Sequence, residues 1–128
     1  MNRQKLEKNI IKSYKVQAEY PWIKSPTFAV FRHQENKKWF AVVMTIEKSK
    51  LGFKQEGKID VINLKCDPNL LPSMLEQEGV FPAYHMSKRH WLTIIIEEIA
   101  EDLLNFLLAL SYDLTSKPKK VNKQKTHR

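Results

Sequence analysis

The sequence predicts an α+β fold, a mainly antiparallel sheet covered by helices, with elements in the order α-β-β-β-α-β-β-α. Three observations predict it. Apolar side chains recur at helical spacing near both ends of the chain. Short runs rich in aromatic and β-branched residues lie between them, and these runs are separated by polar stretches or by Gly and Pro. A chain of 128 residues supports one comfortable core, and no repeat or second domain is visible.

Residues 3–18 place Leu6, Ile10, Tyr14 and Ala18 four apart, with Ile11 beside them and Arg3, Lys5, Lys8, Lys12 and Lys15 around the rest of the surface. That is one helical stripe. Pro21 disfavours helical geometry at Tyr20 and ends it, and Pro26 punctuates the chain again before a strand over 28–32. The polar segment 33–37 reads as a hairpin connection, and 38–46 is the best central-strand candidate. Gly52 and Gly57 mark 51–58 as a longer loop or wing, after which 59–65 alternates as a strand with one wetter face.

Asp67-Pro68 is a strong helix start, because Asp accepts free N–H groups as N-cap and Pro is tolerated at the first helical position. Leu70, Leu71, Met74 and Leu75 follow, and Gly79 is placed as a C-cap. Pro82 restricts 80–84 to an edge or a bulge, and 91–96 is a strand. The closing helix, 99–114, is expected to turn Ile99, Leu103, Phe106, Leu107, Leu110 and Leu114 toward the core. Leu104 and Leu108 widen that stripe, so its flanks need cover from the sheet or a partner.

Net charge is +8, yet six of the cations fall in 117–128 with no acid among them. Without those six, sixteen basic side chains face fourteen acidic ones, a body of only +2. The division expected is an α+β domain over 1–115 and a basic tail over 116–128, which lacks apolar periodicity and reads as disordered. Such a tail either binds phosphate backbones through counterion release or simply solubilises the chain. Segment 97–113 carries five acids and no cation, so a nucleic-acid surface should avoid it. The start of the chain has no apolar h-region, and no stretch reaches the ~18 apolar residues of a membrane span, which together point to the cytoplasm.

The densest chemistry is Tyr84-His85-Met86-Ser87-Lys88-Arg89-His90-Trp91. Its cations can contact phosphates and its rings can stack on bases; the plainer reading is a sharp turn with aromatics packed inward. His85 and His90 lack helical ligand spacing, and one cysteine excludes both an internal disulfide and a multi-cysteine zinc site, so neither metal nor other cofactor is expected. Cys66 follows an apolar strand and precedes a helix start, where a buried thiol is the common outcome, although a helix N-terminus can also favour a thiolate. Gly52, Gly57 and Gly79 are isolated and form no phosphate loop. Adjacent Glu97 and Glu98 point different ways. No enzyme chemistry is visible.

Asn63-Leu64-Lys65-Cys66-Asp67-Pro68, followed by Gly79-Val80-Phe81-Pro82-Ala83-Tyr84 and the run on to Trp91, resembles the signature of the MmcQ/YjbR family. Pro26, Val30, Phe31, Arg32, Asn36, Lys37, Lys38, Trp39 and Phe40 resemble its version common in Gram-positive bacteria. So do Lys50-Leu51-Gly52 and Ser111-Tyr112-Asp113-Leu114-Thr115. The resemblance runs from about the first helix to Thr115. It implies a compact fold grouped with CyaY-like and secretion-chaperone-like folds, in the same order of elements. It also implies a non-enzymatic protein of a group described as predicted DNA binders with a double-wing motif. Ser87 stands where the family usually has Asn, and Glu97-Glu98-Ile99-Ala100 replaces its usual Asp-Gly…Pro turn. One wing would then be the hairpin with His33, Asn36, Lys37 and Lys38, the other the turn from Tyr84 to His90. The DNA contacts expected are Lys37, Lys38, Tyr84, His85, Lys88, Arg89 and His90, directed at the backbone and sensitive to salt. A body charge of +2 is weak for a dedicated duplex binder. The competing class is a protein-interaction module using the sheet or the last helix, as fold relatives with chaperone-like roles do. A third class is a small-molecule or redox site around Cys66 and His85.

Overall fold

Alternating apolar residues in five short runs pair into one antiparallel sheet. The computed structural model describes residues 1–116, and the basic segment 117–128 lies outside the described residues. The elements are α1 (Arg3–Tyr14), β1 (Ala29–Arg32), β2 (Trp39–Glu47), a 3-10 turn (Lys48–Leu51), β3 (Lys58–Lys65), α2 (Leu71–Met74), β4 (Val80–Pro82), β5 (Trp91–Ile95) and α3 (Glu101–Thr115). This is the predicted α+β order. Strands lie in the order β1-β2-β3-β5-β4. The first three form a meander; the chain then crosses through α2 to the far edge and returns as β5 between β3 and β4. Pro82 sits on that outer edge, where its missing N–H disrupts no central ladder.

Both faces of the sheet are apolar. On one, Leu6 and Ile10 of α1 and Leu104, Leu107 and Leu108 of α3 pack on Phe31, Phe40, Val43, Ile62, Leu64, Leu92 and Ile94. On the other, Val30, Val42, Met44, Ile46, Val61 and Ile95 form a second cluster. Side chains from strand ends and loops close over it, among them Phe28, Trp39, Phe53, Phe81, Tyr84 and Met86. The register slips between Phe31 and Arg32, pairing them with Ala41 and Trp39 and leaving Phe40 as the extra residue of a bulge. Phe40 and Ala41 therefore both face the helices, and Trp39 swings to the loop-covered face. Strict alternation would have put Trp39 with Ala41 and Val43.

Three sequence expectations need correction. The first helix stops at Tyr14 rather than continuing to residue 18. Lys15 turns left-handed (φ 54), and Glu19 exchanges backbone hydrogen bonds of 2.9 and 2.8 Å with Val30, which needs extended chain. Asp67 does accept the Asn69 N–H at 2.9 Å, but the following turn is irregular and regular helix spans only Leu71–Met74. The closing helix begins at Glu101, with Ala100 in the N-cap position and Glu101 and Asp102 supplying negative charge to its first turn. Its buried face is rotated from the expected one. Leu104, Leu107, Leu108, Ser111 and Thr115 are buried, while Phe106 and Leu114 are 54% and 39% exposed. Ser111 explains the rotation: its hydroxyl donates to Phe40 O at 2.6 Å and accepts from Lys65 N–H at 2.8 Å, docking α3 across β2 and β3 by a polar residue.

Gly79 joins α2 to β4 at φ +84, and its carbonyl accepts the Ile95 N–H at 2.8 Å. A Cβ there would meet Ile99 N at 3.0 Å and Glu98 carbons at 3.3 Å. Gly79→Ala is expected to cost about 1–3 kcal/mol through the left-handed backbone and the close approach together, measured as a lowered urea midpoint. An unchanged midpoint would show that the 97–100 turn yields freely.

Candidate functional site

Antiparallel pairing sends β1, β3 and β4 out of the sheet at the end where β2 and β5 enter. Arg32 pairs with Trp39, Lys65 with Trp91, and Pro82 with Leu92. The hairpin at 33–38 and the turn at 83–90 thus lie at one end. Glu97 and Glu98 follow Ile95 at the other end, where Ile96 N–H bonds to Asp60 O, and α3 starts there with Glu101 and Asp102.

The hairpin is fastened to the end of α3. His33 Nε2 lies 2.8 Å from Thr115 Oγ1 and 3.1 Å from Tyr112 O, with its ring against Tyr112 at 4.2 Å. Asn36 Nδ2 donates to Thr115 O at 2.9 Å while its Oδ1 accepts from Lys38 N–H at 2.9 Å. His33, expected on an exposed wing, is buried and structural. Lys37, left-handed at φ 64, and Lys38 are exposed.

The second turn stands on a ring of three hydrogen bonds. Thr93 Oγ1 donates to Asn63 Oδ1 at 2.6 Å and accepts from Tyr84 N–H at 2.7 Å, and Asn63 Nδ2 donates to Tyr84 O at 2.9 Å. Asn63 and Thr93 are opposite each other in β3 and β5 and buried. Beyond Tyr84 the chain enters the left-handed region at His85 (φ 63), whose ring rests against Tyr84 at 4.0 Å. Lys88 Nζ reaches back to Ala83 O at 2.8 Å, so this cation braces its own turn. His85, Arg89 and His90 are exposed, and Tyr84 is half-buried. Trp91 is only partly covered.

On the loop-covered face, between the segment 22–28 and the turn at 84–87, is a cleft of about 570 Å³. One wall is an aromatic cluster in which Trp22 meets Trp39 edge-on (5.4 Å, 84°) and Phe28 likewise (6.0 Å, 78°). Val42, Met44 and Asn63 line the cleft as well, and Tyr84, His85, Met86 and Ser87 supply its other side. The sequence reading missed this cleft, because Trp39 reaches it only through the bulge at Phe40. The signal that could have found it was two Trp and two Phe within 22–39, more aromatic surface than a single strand face holds.

Cys66 is buried in the helix-side core, and its thiol points to Asp67 O at 3.6 Å. Burial first, then the charge of Asp67, pushes its pKa up, the opposite of what a nucleophile needs. Among the described residues no three His, Cys, Asp or Glu side chains gather as a metal ligand set, and no helix is long and apolar enough to cross a membrane.

The model of the YjbR family matches residues 12–114. This chain belongs to the YjbR family. The uncharacterised protein YyaQ of Bacillus subtilis is 36% identical over 116 residues, covering 90% of this chain and 98% of that one. The uncharacterised protein YbdF of Escherichia coli is 42% identical over 60 residues, 44% of this chain and 48% of that one. A crystal structure of a Pseudomonas syringae protein superposes with a TM-score of 0.89 at 38% identity, covering 91% of this chain and 100% of that one. A Deinococcus radiodurans protein at 20% identity and a TM-score of 0.59 shares the fold. The YjbR match runs from the end of α1 to the end of α3, so the hairpin, the turn and the cleft all fall inside it.

In this YjbR chain Thr93→Val removes the hydroxyl that joins Asn63 to Tyr84. It is expected to cost about 1–3 kcal/mol by leaving buried amide groups unpaired, with faster hydrogen exchange at the Tyr84 amide. Unaltered exchange there would show that the turn does not depend on the ring. For Cys66, the folded thiol holds its proton more tightly than the unfolded one. Its contribution is complete below about pH 8.5 and is lost as pH rises beyond that. The stability gap between the native chain and Cys66→Ala should narrow in alkaline urea titrations, and a constant gap would refute the assignment.

Proposed function

We propose that this YjbR protein is a non-enzymatic DNA-binding protein of the cytoplasm that grips the phosphate backbone with the two turns at one end of its sheet. The observation that carries this reading is their convergence. Lys37 and Lys38 on the hairpin and Arg89 on the second turn are exposed at the same end, and the acids of 97–102 are at the other. Tyr84, His85 and His90 serve as neighbouring polar or stacking groups. Lys88 contributes by holding the turn's shape. Thr115, bonded to Asn36, also belongs to this end, and the chain continues from there into the six cations of 117–128. Glu35 in the hairpin and a body charge of +2 argue for modest affinity that falls steeply with salt.

A specific observation favours a second reading. Phe106 and Leu114 lie on one exposed flank of α3, an apolar surface suited to a protein partner.

Duplex binding by the full chain, measured by anisotropy across a salt series, separates the two. Lys37→Ala, Lys38→Ala and Arg89→Ala combined should weaken binding equally across sequences. Each phosphate that is no longer neutralised should reduce the log–log slope by about 0.9. Melting should stay within about 0.5 kcal/mol per site, because all three side chains are exposed. Undiminished binding in the triple variant would overturn this interface, and loss of binding only in Phe106→Ser would move the assignment to α3.

A further inference from the structure

We infer that the cleft beside the second turn receives an unpaired base of single-stranded DNA, an inference that rests on the phosphate-binding reading above and names the form of nucleic acid it serves. The cleft combines features that a flat, weakly polar ring on a charged backbone requires. Its volume, about 570 Å³, falls within the range of ordinary ligand sites and accommodates a base with its sugar. One wall offers the edge-on cluster of Trp22, Trp39 and Phe28, the other the paired rings of Tyr84 and His85. Two methionines, Met44 and Met86, supply polarizable and adaptable surface, and the hydroxyls of Ser25 and Ser87 offer hydrogen bonds.

Charge selects the occupant. Arg89 is exposed two residues beyond Ser87, on the turn that supplies one wall, and Lys37 is exposed at the same end of the sheet. A neutral apolar ligand gains nothing from them, whereas a strand laid along this end presents phosphates to the cations and a base to the cleft. A duplex base stays inside its stack and would have to be extruded first. The cleft is also held ready. The Asn63–Thr93–Tyr84 ring fixes one wall, and His85 is kept in a left-handed backbone that costs energy in a non-glycine residue. Such strain gathers at ligand clamps, where the surrounding structure over-determines it.

The test compares labelled oligo-dT with an abasic strand of the same length and charge, using the full chain at low and moderate salt. Oligo-dT should bind about tenfold tighter than the abasic strand and quench tryptophan emission, since stacking on an aromatic platform adds to phosphate binding. Trp22 is 37% exposed, so Trp22→Ala should fold. It should abolish the difference between the strands while leaving abasic affinity and its salt slope unchanged, and Trp22→Phe should restore most of the difference. Equal, salt-dependent affinity for both strands would overturn the base site and leave the phosphate reading standing. Persistence of the full difference in Trp22→Ala would overturn the cleft as the site. Failure of either strand to bind at low salt would overturn both readings.

Discussion

The buried amide of Asn63 and the hydroxyl of Thr93 face each other across β3 and β5, and the segment after β4 is built on them. Neither could remain on an apolar sheet face without partners, since an unpaired buried polar group costs more than a hydrogen bond returns. Each finds the other, and both find the backbone of Tyr84. That requirement stops β4 after three residues, turns the chain outward and sets the left-handed step at His85. The Lys88 brace to Ala83 O then closes a turn whose shape is independent of any partner. One side of the cleft follows from two polar residues that look, in sequence, like minor interruptions of hydrophobic strands.

The opposite wall has a different origin. A sheet of this length can be covered by two helices on one face only, and α1 and α3 both take the same face. The second face is left to loops, whose side chains cover it unevenly. The bulge at Phe40 adds one residue to β2 and thereby moves Trp39 from the helix side to the loop side. Trp22 then has an aromatic neighbour to meet, and the cleft gains its wall. Local twist introduced by a bulge commonly re-aims a side chain near a binding surface. Here it moves an indole through the sheet.

Exposed Lys37, Lys38 and Arg89 of the turns and the glutamates after β5 occupy opposite ends, while Glu35 shares the first end and Lys48 and Lys58 the second. The Pseudomonas syringae structure overlays 91% of this chain. What distinguishes the end with the two turns chemically is its aromatic cleft. The His33 and Asn36 side chains belong instead to the framework, tying the hairpin to α3.

The sequence by itself determined the order of elements, the antiparallel character of the sheet and the family. Helical spacing, strand runs and turn residues are local properties, and the segment from Asn63 to Trp91 is distinctive as written. Local signals also placed both turns and the edge position of Pro82. Only the tertiary structure decided which way side chains face. The rotation of α3 depends on Ser111 reaching Phe40 O across the core. Burial of His33 depends on Thr115, far along the chain, and the end of α1 depends on Glu19 pairing with Val30. The cleft needed both the bulge and the Asn63–Thr93 ring, each a consequence of pairing between distant strands. Periodicity records how one segment alternates; it holds no information about an inserted residue in the register, or about which distant backbone a buried polar group will satisfy.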